Sequence, residues 1–204
     1  MKFFNSMGPN PRLVRMFAAE KGIELAETVE VDLVGGENRK APYTDRNPAG
    51  QVPCLELDDG STLAETVAIC EYLEELQPEK PLIGSTPEER AMTRMWTRRV
   101  ESKVNAPLAD GFRFAEGLPL FKERIRTIPH AADDFKAIAQ DGLKWFDDQL
   151  SGKEFIAGDR FTLADIVLFA FLDFGASVGQ PLDPSLKHVN AWLERVKSRP
   201  STEA

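Results

Sequence analysis

Asn47 to Thr66 concentrates the residues of this chain that can do chemistry. The stretch runs Asn-Pro-Ala-Gly-Gln-Val-Pro-Cys-Leu-Glu-Leu-Asp-Asp-Gly-Ser-Thr-Leu-Ala-Glu-Thr. Pro48 and Gly50 punctuate a loop. Gln51-Val52-Pro53 then enters a strand at the position where a proline is tolerated, and the Val52 backbone is left free to pair with an extended peptide. Asp58-Asp59-Gly60 reads as an Asp-Gly turn between two short strands. Glu65-Thr66 opens an amphipathic helix, where orphan N–H groups, a hydroxyl and a carboxylate meet. The N–H groups suit a carboxylate, and the Glu65 side chain suits an ammonium. Together they fit a zwitterionic α-amino acid joined to an extended peptide. An ordinary hairpin followed by an ordinary helix has the same residue pattern, so the chemistry alone leaves both readings open.

Other reactive side chains are few. Cys54 and Cys70 are the only cysteines among 204 residues, form no Cys-x-x-Cys motif and lie in apolar stretches. Both read as buried free thiols. His130 and His188 have no Cys or carboxylate at ligand spacing, so no metal site is expected. A net charge of −8 argues against broad nucleic-acid binding. No apolar run reaches membrane-spanning length, and Met1-Lys2-Phe3-Phe4-Asn5 is too short for a signal peptide. A cytoplasmic protein is expected.

The elements that must position these residues follow from periodicity. Lys2 to Asn5 is a short apolar strand. A helix begins near Asn10 or Pro11, with Leu13, Val14, Phe17 and Ala18 inside and Arg12, Arg15, Glu20 and Lys21 outside, and Gly22 stops it. Ile23 to Leu33 is a second strand region, giving a strand–helix–strand unit that favours parallel strands. Gly35 to Arg46 is polar with a short helix. The hairpin and a helix from Glu65 to about Gln77 complete the half, with Val67, Cys70, Leu73 and Leu76 inward. Pro78, Pro81 and Pro87 break the pattern. No strand is expected beyond them. Glu88 to about Glu116 reads as one helix bent near Pro107, and Leu120 to Leu150 as a helical stretch broken near Pro129. Thr162 and Asp165 form a capping-box-like start to an all-apolar helix, and a last helix spans about Ser185 to Lys197. The expected organisation is an α/β thioredoxin-like domain at 1–77, a linker at 78–87 and an all-α domain at 88–204.

This combination resembles a cytosolic-type glutathione S-transferase, over nearly the whole chain. Four stretches carry the resemblance: Arg12 to Gly22, Asn47 to Pro53, Leu63 to Leu73 and Phe161 to Asp165. It implies glutathione as co-substrate. Val52 would pair its backbone with the cysteinyl part, and a cis bond before Pro53 would turn the Val52 amide toward the ligand. Glu65 and Thr66 would hold the γ-glutamyl end. Lys40 and Gln51 would reach the glycyl carboxylate, with Asn38 a further candidate. The resemblance also implies a pocket for a small hydrophobic electrophile, lined by Met7 and Pro9 and by Asn105, Leu108, Phe112, Arg113 and Phe114 of the long helix. It implies a homodimer, with Arg90, Arg94, Arg98 and Arg99 facing acidic groups of the other copy, and a role in detoxification.

One departure bears on mechanism. The family usually places a Tyr, Ser or Cys near the start of the first helix to hold the thiolate, and here that place falls at or near Gly8. The Gly-Pro-Asn-Pro arrangement looks like an atypical bacterial and fungal subgroup. Asn10 and Ser6 are the nearby candidates for a catalytic role. A free thiol titrates near 8.5, and lowering that by about two units takes roughly 2.7 kcal/mol. A helix dipole gives up to ~2 kcal/mol, and one charge-assisted hydrogen bond about 1.5–3 kcal/mol. The helix start with Asn10 suffices. A glutathione-dependent disulfide or peroxide reductase, or a non-catalytic binding protein of the same fold, remain the alternatives.

Overall fold

The structure, a computed structural model, describes residues 1–204. The chain divides into two compact units, Met1–Leu82 with Pro200–Ala204, and Ile83–Arg199.

The first unit runs β1 (Lys2–Asn5), α1 (Pro9–Lys21), β2 (Glu27–Glu30), a 3-10 turn (Glu37–Arg39), α2 (Tyr43–Arg46), β3 (Cys54–Glu56), β4 (Thr62–Ala64) and α3 (Thr66–Leu76). Sheet order is β2-β1-β3-β4, with β2 parallel to β1, and β3 antiparallel to β1 and β4. β1 takes an inner place because Phe3 and Phe4 point to opposite faces and both are buried. On one face Phe4 packs with Val31, Tyr43 and Cys54, and Val52 and Ala64 close the cluster. α1 and α3 pack together, burying Leu13, Val14, Phe17, Ala18, Ile69 and Leu73. This is the expected thioredoxin-like half.

Three local expectations change. β2 is shorter than the apolar pattern implied because its partner β1 ends at Asn5, whose carbonyl takes the Val31 N–H at 2.9 Å. The hairpin turn is longer than a two-residue turn: Leu57 N–H donates to Ser61 and Gly60 N–H to Leu57. Lys21 lies inside, 1% exposed, and Leu76 lies outside, 51% exposed. The Lys21 ammonium sits 2.8 Å from Glu74 Oε2 and also donates to the carbonyls of Glu79 and Lys80. A buried ammonium is tolerated only with such a full set of partners.

The last five residues also belong to this unit, which the expected helical domain at 88–204 did not foresee. Arg12 donates to the Thr202 carbonyl at 2.8 Å, and the Ser201 hydroxyl donates to Glu20.

The second unit is helical: α4 (Pro87–Val100), a wider π turn (Glu101–Asn105), α5 (Ala106–Phe114), α6 (Leu118–Phe121), α7 (Ala132–Leu150), α8 (Leu163–Ser177) and α9 (Lys187–Lys197). The Thr86 side chain caps α4 by accepting the Glu89 N–H. The irregularity expected near Pro107 is the π turn just before it. Pro107 has no N–H to offer the Lys103 carbonyl one turn back, so the ladder widens there. That carbonyl faces α7, where a Cβ on Gly142 would stand only 2.2 Å from it. Gly142 is thus set by close backbone approach rather than by helix propensity.

α8 is buried on every side from Leu163 to Leu172. Asp165 fixes its start. One carboxylate oxygen accepts from Ile156 N–H and Trp192 Nε1, and the other from the Thr162 N–H and hydroxyl. Burial pushes the Asp165 carboxyl up, against the pull of these donors. No helix is long and apolar enough to cross a membrane.

Candidate functional site

In the first unit, a small open cleft is lined by Asn10, Asn47, Gln51, Val52, Pro53, Ala64, Glu65 and Thr66. Three helix and strand ends converge there. The Val52-Pro53 bond is cis. β4 ends at Ala64, and Glu65 turns the chain into α3 with φ 68° and ψ 117°. A non-glycine residue at such a positive φ is strained by about 1–3 kcal/mol. No side chain caps α3. Its first helical bond is Ile69 N–H to the Glu65 carbonyl, so the N–H groups of Thr66, Val67 and Ala68 have no helical acceptor. The exposed Glu65 carboxylate stands beside this positive helix end.

α1 contributes its own N-terminus. The N-cap is Gly8, which brings no side chain, and no side chain caps the helix. Pro9 and Pro11 lack N–H groups, so Asn10 supplies the one backbone donor of the first three helical positions. Asn10 also lines the cleft.

The loop before β3 is held by side chains rather than by a strand ladder. The Gln51 carbonyl accepts from both the Tyr43 hydroxyl, at 2.5 Å, and the Asn47 amide, at 2.8 Å. Asn47 Oδ1 accepts the Ala49 N–H. The buried Asn38 amide donates to the Gly50 carbonyl. Gly50 has φ 59°, and a Cβ there would meet the Asn38 carbonyl at 2.9 Å. Burial pushes the Tyr43 phenol and the Cys54 thiol up, so both remain neutral. Cys54 and Cys70 are free, buried thiols. The chain therefore exposes no thiol of its own, and thiol chemistry here must be carried by a ligand.

Of the residues expected in a site, Asn10, Gln51, Val52, Pro53, Glu65 and Thr66 share this cleft. Lys40 does not line it; it is exposed at the end of the 3-10 turn. Asn38 supports the loop from beneath. Met7 is 64% exposed and Pro9 half-buried. Ser6 is corrected to a structural role, since it is buried and its hydroxyl donates to the Val31 carbonyl at 2.8 Å. Asn105 is likewise corrected. It is buried in the second unit, where its amide donates to the Val167 carbonyl. Phe112 and Arg113 are half-buried in that unit. Phe112 meets Phe121 and Phe174 edge-on, while Arg113 pairs with Asp110 and lies over Phe121.

Sequence reasoning missed Asn47, Ala64 and Tyr43. Asn47, standing before Pro-Ala-Gly, carried a usable signal, because an asparagine there can bond the backbone two residues on. Tyr43 carried none.

Family models place this architecture. Residues 7–76 match the glutathione S-transferase N-terminal domain and residues 132–200 the C-terminal domain. The chain is 34% identical to glutathione S-transferase 2 of Saccharomyces cerevisiae over 198 residues, covering 96% of this chain and 84% of that one. The chain belongs to the glutathione S-transferase family. It is 30% identical to glutathione S-transferase GstA of Escherichia coli O157:H7 over 208 residues, covering 100% of this chain and 96% of that relative. A crystal structure of a glutathione S-transferase domain-containing protein from Marinobacter aquaeolei VT8 superposes with a TM-score of 0.93. It is 37% identical and covers 99% of this chain and 100% of that one. This glutathione S-transferase is an enzyme of that family, and disulfide or peroxide reduction is not the favoured reading.

Proposed function

We propose that this glutathione S-transferase binds glutathione in the cleft of its first unit and stabilises the bound thiolate for attack on an electrophilic carbon. The observation that carries the reading is one cleft bringing together the Gln51-Val52-Pro53 edge and the uncapped start of α3 beside Glu65. Val52 offers peptide groups to the cysteinyl part. Thr66 and the free N–H groups of α3 receive the γ-glutamyl carboxylate, and Glu65 receives its ammonium. Gln51 and the exposed Lys40 serve the glycyl carboxylate. The cysteine sulfur is held by the start of α1, through the Asn10 N–H and amide, and charge-assisted bonds there favour the anion. The thiolate displaces a leaving group on carbon, or adds to an activated double bond, and its proton leaves to solvent.

For the electrophile, Met7 and Pro9 are the candidates in the first unit. In the second unit Phe112 and Arg113 are the candidates, within the aromatic group of Phe112, Phe121 and Phe174. Their aromatic faces suit a small hydrophobic electrophile. Detoxification is the use that such chemistry supports. A reducing, cytoplasmic setting suits the two free thiols.

A homodimer extends the reading. Met92 and Leu76 are 47% and 51% exposed and suit burial against another copy. The arginines expected on that face already have partners within this chain: Arg90 donates to the Gly84 and Ser85 carbonyls, Arg98 pairs with Glu101, Arg99 lies over Trp96, and Arg94 is not free. Light scattering at micromolar concentration checks the dimer, and a monomer there refutes it.

Calorimetry tests the cleft. Glu65→Gln with Thr66→Ala should weaken glutathione binding at least tenfold, about 1.4 kcal/mol, with melting unchanged. Unchanged affinity would move the ligand elsewhere.

A further inference from the structure

We propose that Tyr43 is a positioning residue for glutathione, its buried hydroxyl fixing the Gln51–Val52 peptide so that the Val52 N–H meets the ligand. The inference rests on the glutathione reading of the cleft and adds a residue that does not touch the ligand.

Tyr43 is 3% exposed and does not line the cleft. Its oxygen lies 2.5 Å from the Gln51 carbonyl oxygen, which also accepts the Asn47 amide at 2.8 Å. A carbonyl oxygen has two lone pairs, so these two donors saturate it. The Gln51–Val52 bond is trans, since the cis bonds of this chain are Ala41-Pro42 and Val52-Pro53. In a planar trans peptide the carbonyl oxygen and the next N–H point in opposite directions. Anchoring the Gln51 carbonyl to the buried phenol therefore sends the Val52 N–H away from that anchor. Val52 itself lines the cleft. The ligand then meets a donor already held in place, and no loop ordering is charged to binding.

The hydroxyl is separable from the packing of the ring. The Tyr43 ring meets Phe4 edge-on at 6.0 Å, and a phenylalanine keeps that contact. Burial pushes the phenol up, so it remains a donor at any working pH. Cys54 Sγ lies 3.5 Å from the same oxygen and provides a control, because it touches the phenol and not the Gln51 carbonyl.

The experiment compares wild type, Tyr43→Phe, Cys54→Ala and Asn47→Asp, using calorimetry with glutathione and steady-state kinetics with glutathione varied against one fixed electrophile. Tyr43→Phe should raise the glutathione KM and Kd five- to tenfold. Its kcat and the electrophile KM should stay within about twofold, a split that general loosening does not produce. Cys54→Ala should leave the glutathione KM within about twofold. Asn47→Asp keeps the acceptor for Ala49 but loses the donor to Gln51, and should reproduce the selective rise in KM should Tyr43→Phe fail to fold. An unchanged glutathione KM in the variants that fold overturns the proposal. So does an equal loss in Cys54→Ala, which would make packing of the cluster the cause. Absence of binding heat in the wild type refutes instead the glutathione reading beneath it.

Discussion

The starts of α3 and α8 meet the same physical problem and resolve it in opposite ways. Every helix begins with N–H groups that lack helical acceptors. At α8 Thr162 and Asp165 form a capping box, and the Asp165 carboxylate takes four hydrogen bonds, from the Ile156 N–H, the Thr162 N–H and hydroxyl and Trp192 Nε1, in a fully buried place. At α3 no side chain caps the helix, Glu65 sits at φ 68°, and the start opens on a cleft. A saturated helix start contributes stability and has nothing left to offer a ligand. An unsaturated and strained one costs stability and is ready to bind an anion. The difference separates a structural acid from a binding acid, although Asp165 and Glu65 both stand near a helix start beside a threonine.

The largest effect should follow the loss of the saturated acid. Asp165→Ala strands the N–H groups of Ile156, Thr162 and Trp192, at about 1–3 kcal/mol for each buried unpaired donor. Urea unfolding should show a loss of about 3 kcal/mol or more, while the folded fraction still binds glutathione normally. Normal melting with no turnover would make Asp165 catalytic and dissolve the contrast.

Glu65→Gly should act with the opposite sign. Removing the Cβ relieves the positive φ, so stability should hold or rise by about 1 kcal/mol. Glutathione affinity should fall at least tenfold. A melting loss as large as that of Asp165→Ala would show Glu65 to be a structural cap.

Thr162→Val removes one hydroxyl from the Asp165 network and should cost about 1 kcal/mol, as lost caps do. No change on urea unfolding would show the box to be redundant.

The smallest effects concern the thiolate. Ser6→Ala deletes a buried bond to Val31, worth about 1 kcal/mol of stability, and should leave the bound thiol's pKa alone. Asn10→Ala should raise that pKa toward its free value by up to about one unit, near 1.4 kcal/mol. Ultraviolet absorbance of the bound thiolate against pH reads both. A rise in Ser6→Ala alone would reverse the assignment.

Much of the architecture was legible because local signals agreed with the tertiary outcome. Proline and glycine marked the loop ahead of β3, Thr162 with Asp165 marked the start of α8, and the change of period near Pro78–Pro87 marked the end of the sheet. Where the two disagreed, a buried polar group was involved. Lys21 reads as an outward lysine, because nothing local announces that Glu74 and two carbonyls will surround its ammonium. Asn105 and Ser6 read as exposed polar groups, because the carbonyls of Val167 and Val31 that take the Asn105 amide N–H and the Ser6 hydroxyl lie 62 and 25 residues away.

The sequence by itself determined the order of elements, the two-part organisation, the Gln51-Val52-Pro53 and Glu65-Thr66 elements and the missing side chain at Gly8. These depend on periodicity, on backbone permissiveness and on residue identity, which are local properties. Only the tertiary structure decided which polar groups remain free to act. A hydroxyl, amide or ammonium is available until a partner elsewhere in the chain satisfies it, and that partner is fixed by packing. Packing gave Ser6, Asn105 and Lys21 to the interior, returned the last five residues to the first unit, set Tyr43 beneath Gln51, and left the first turn of α3 open.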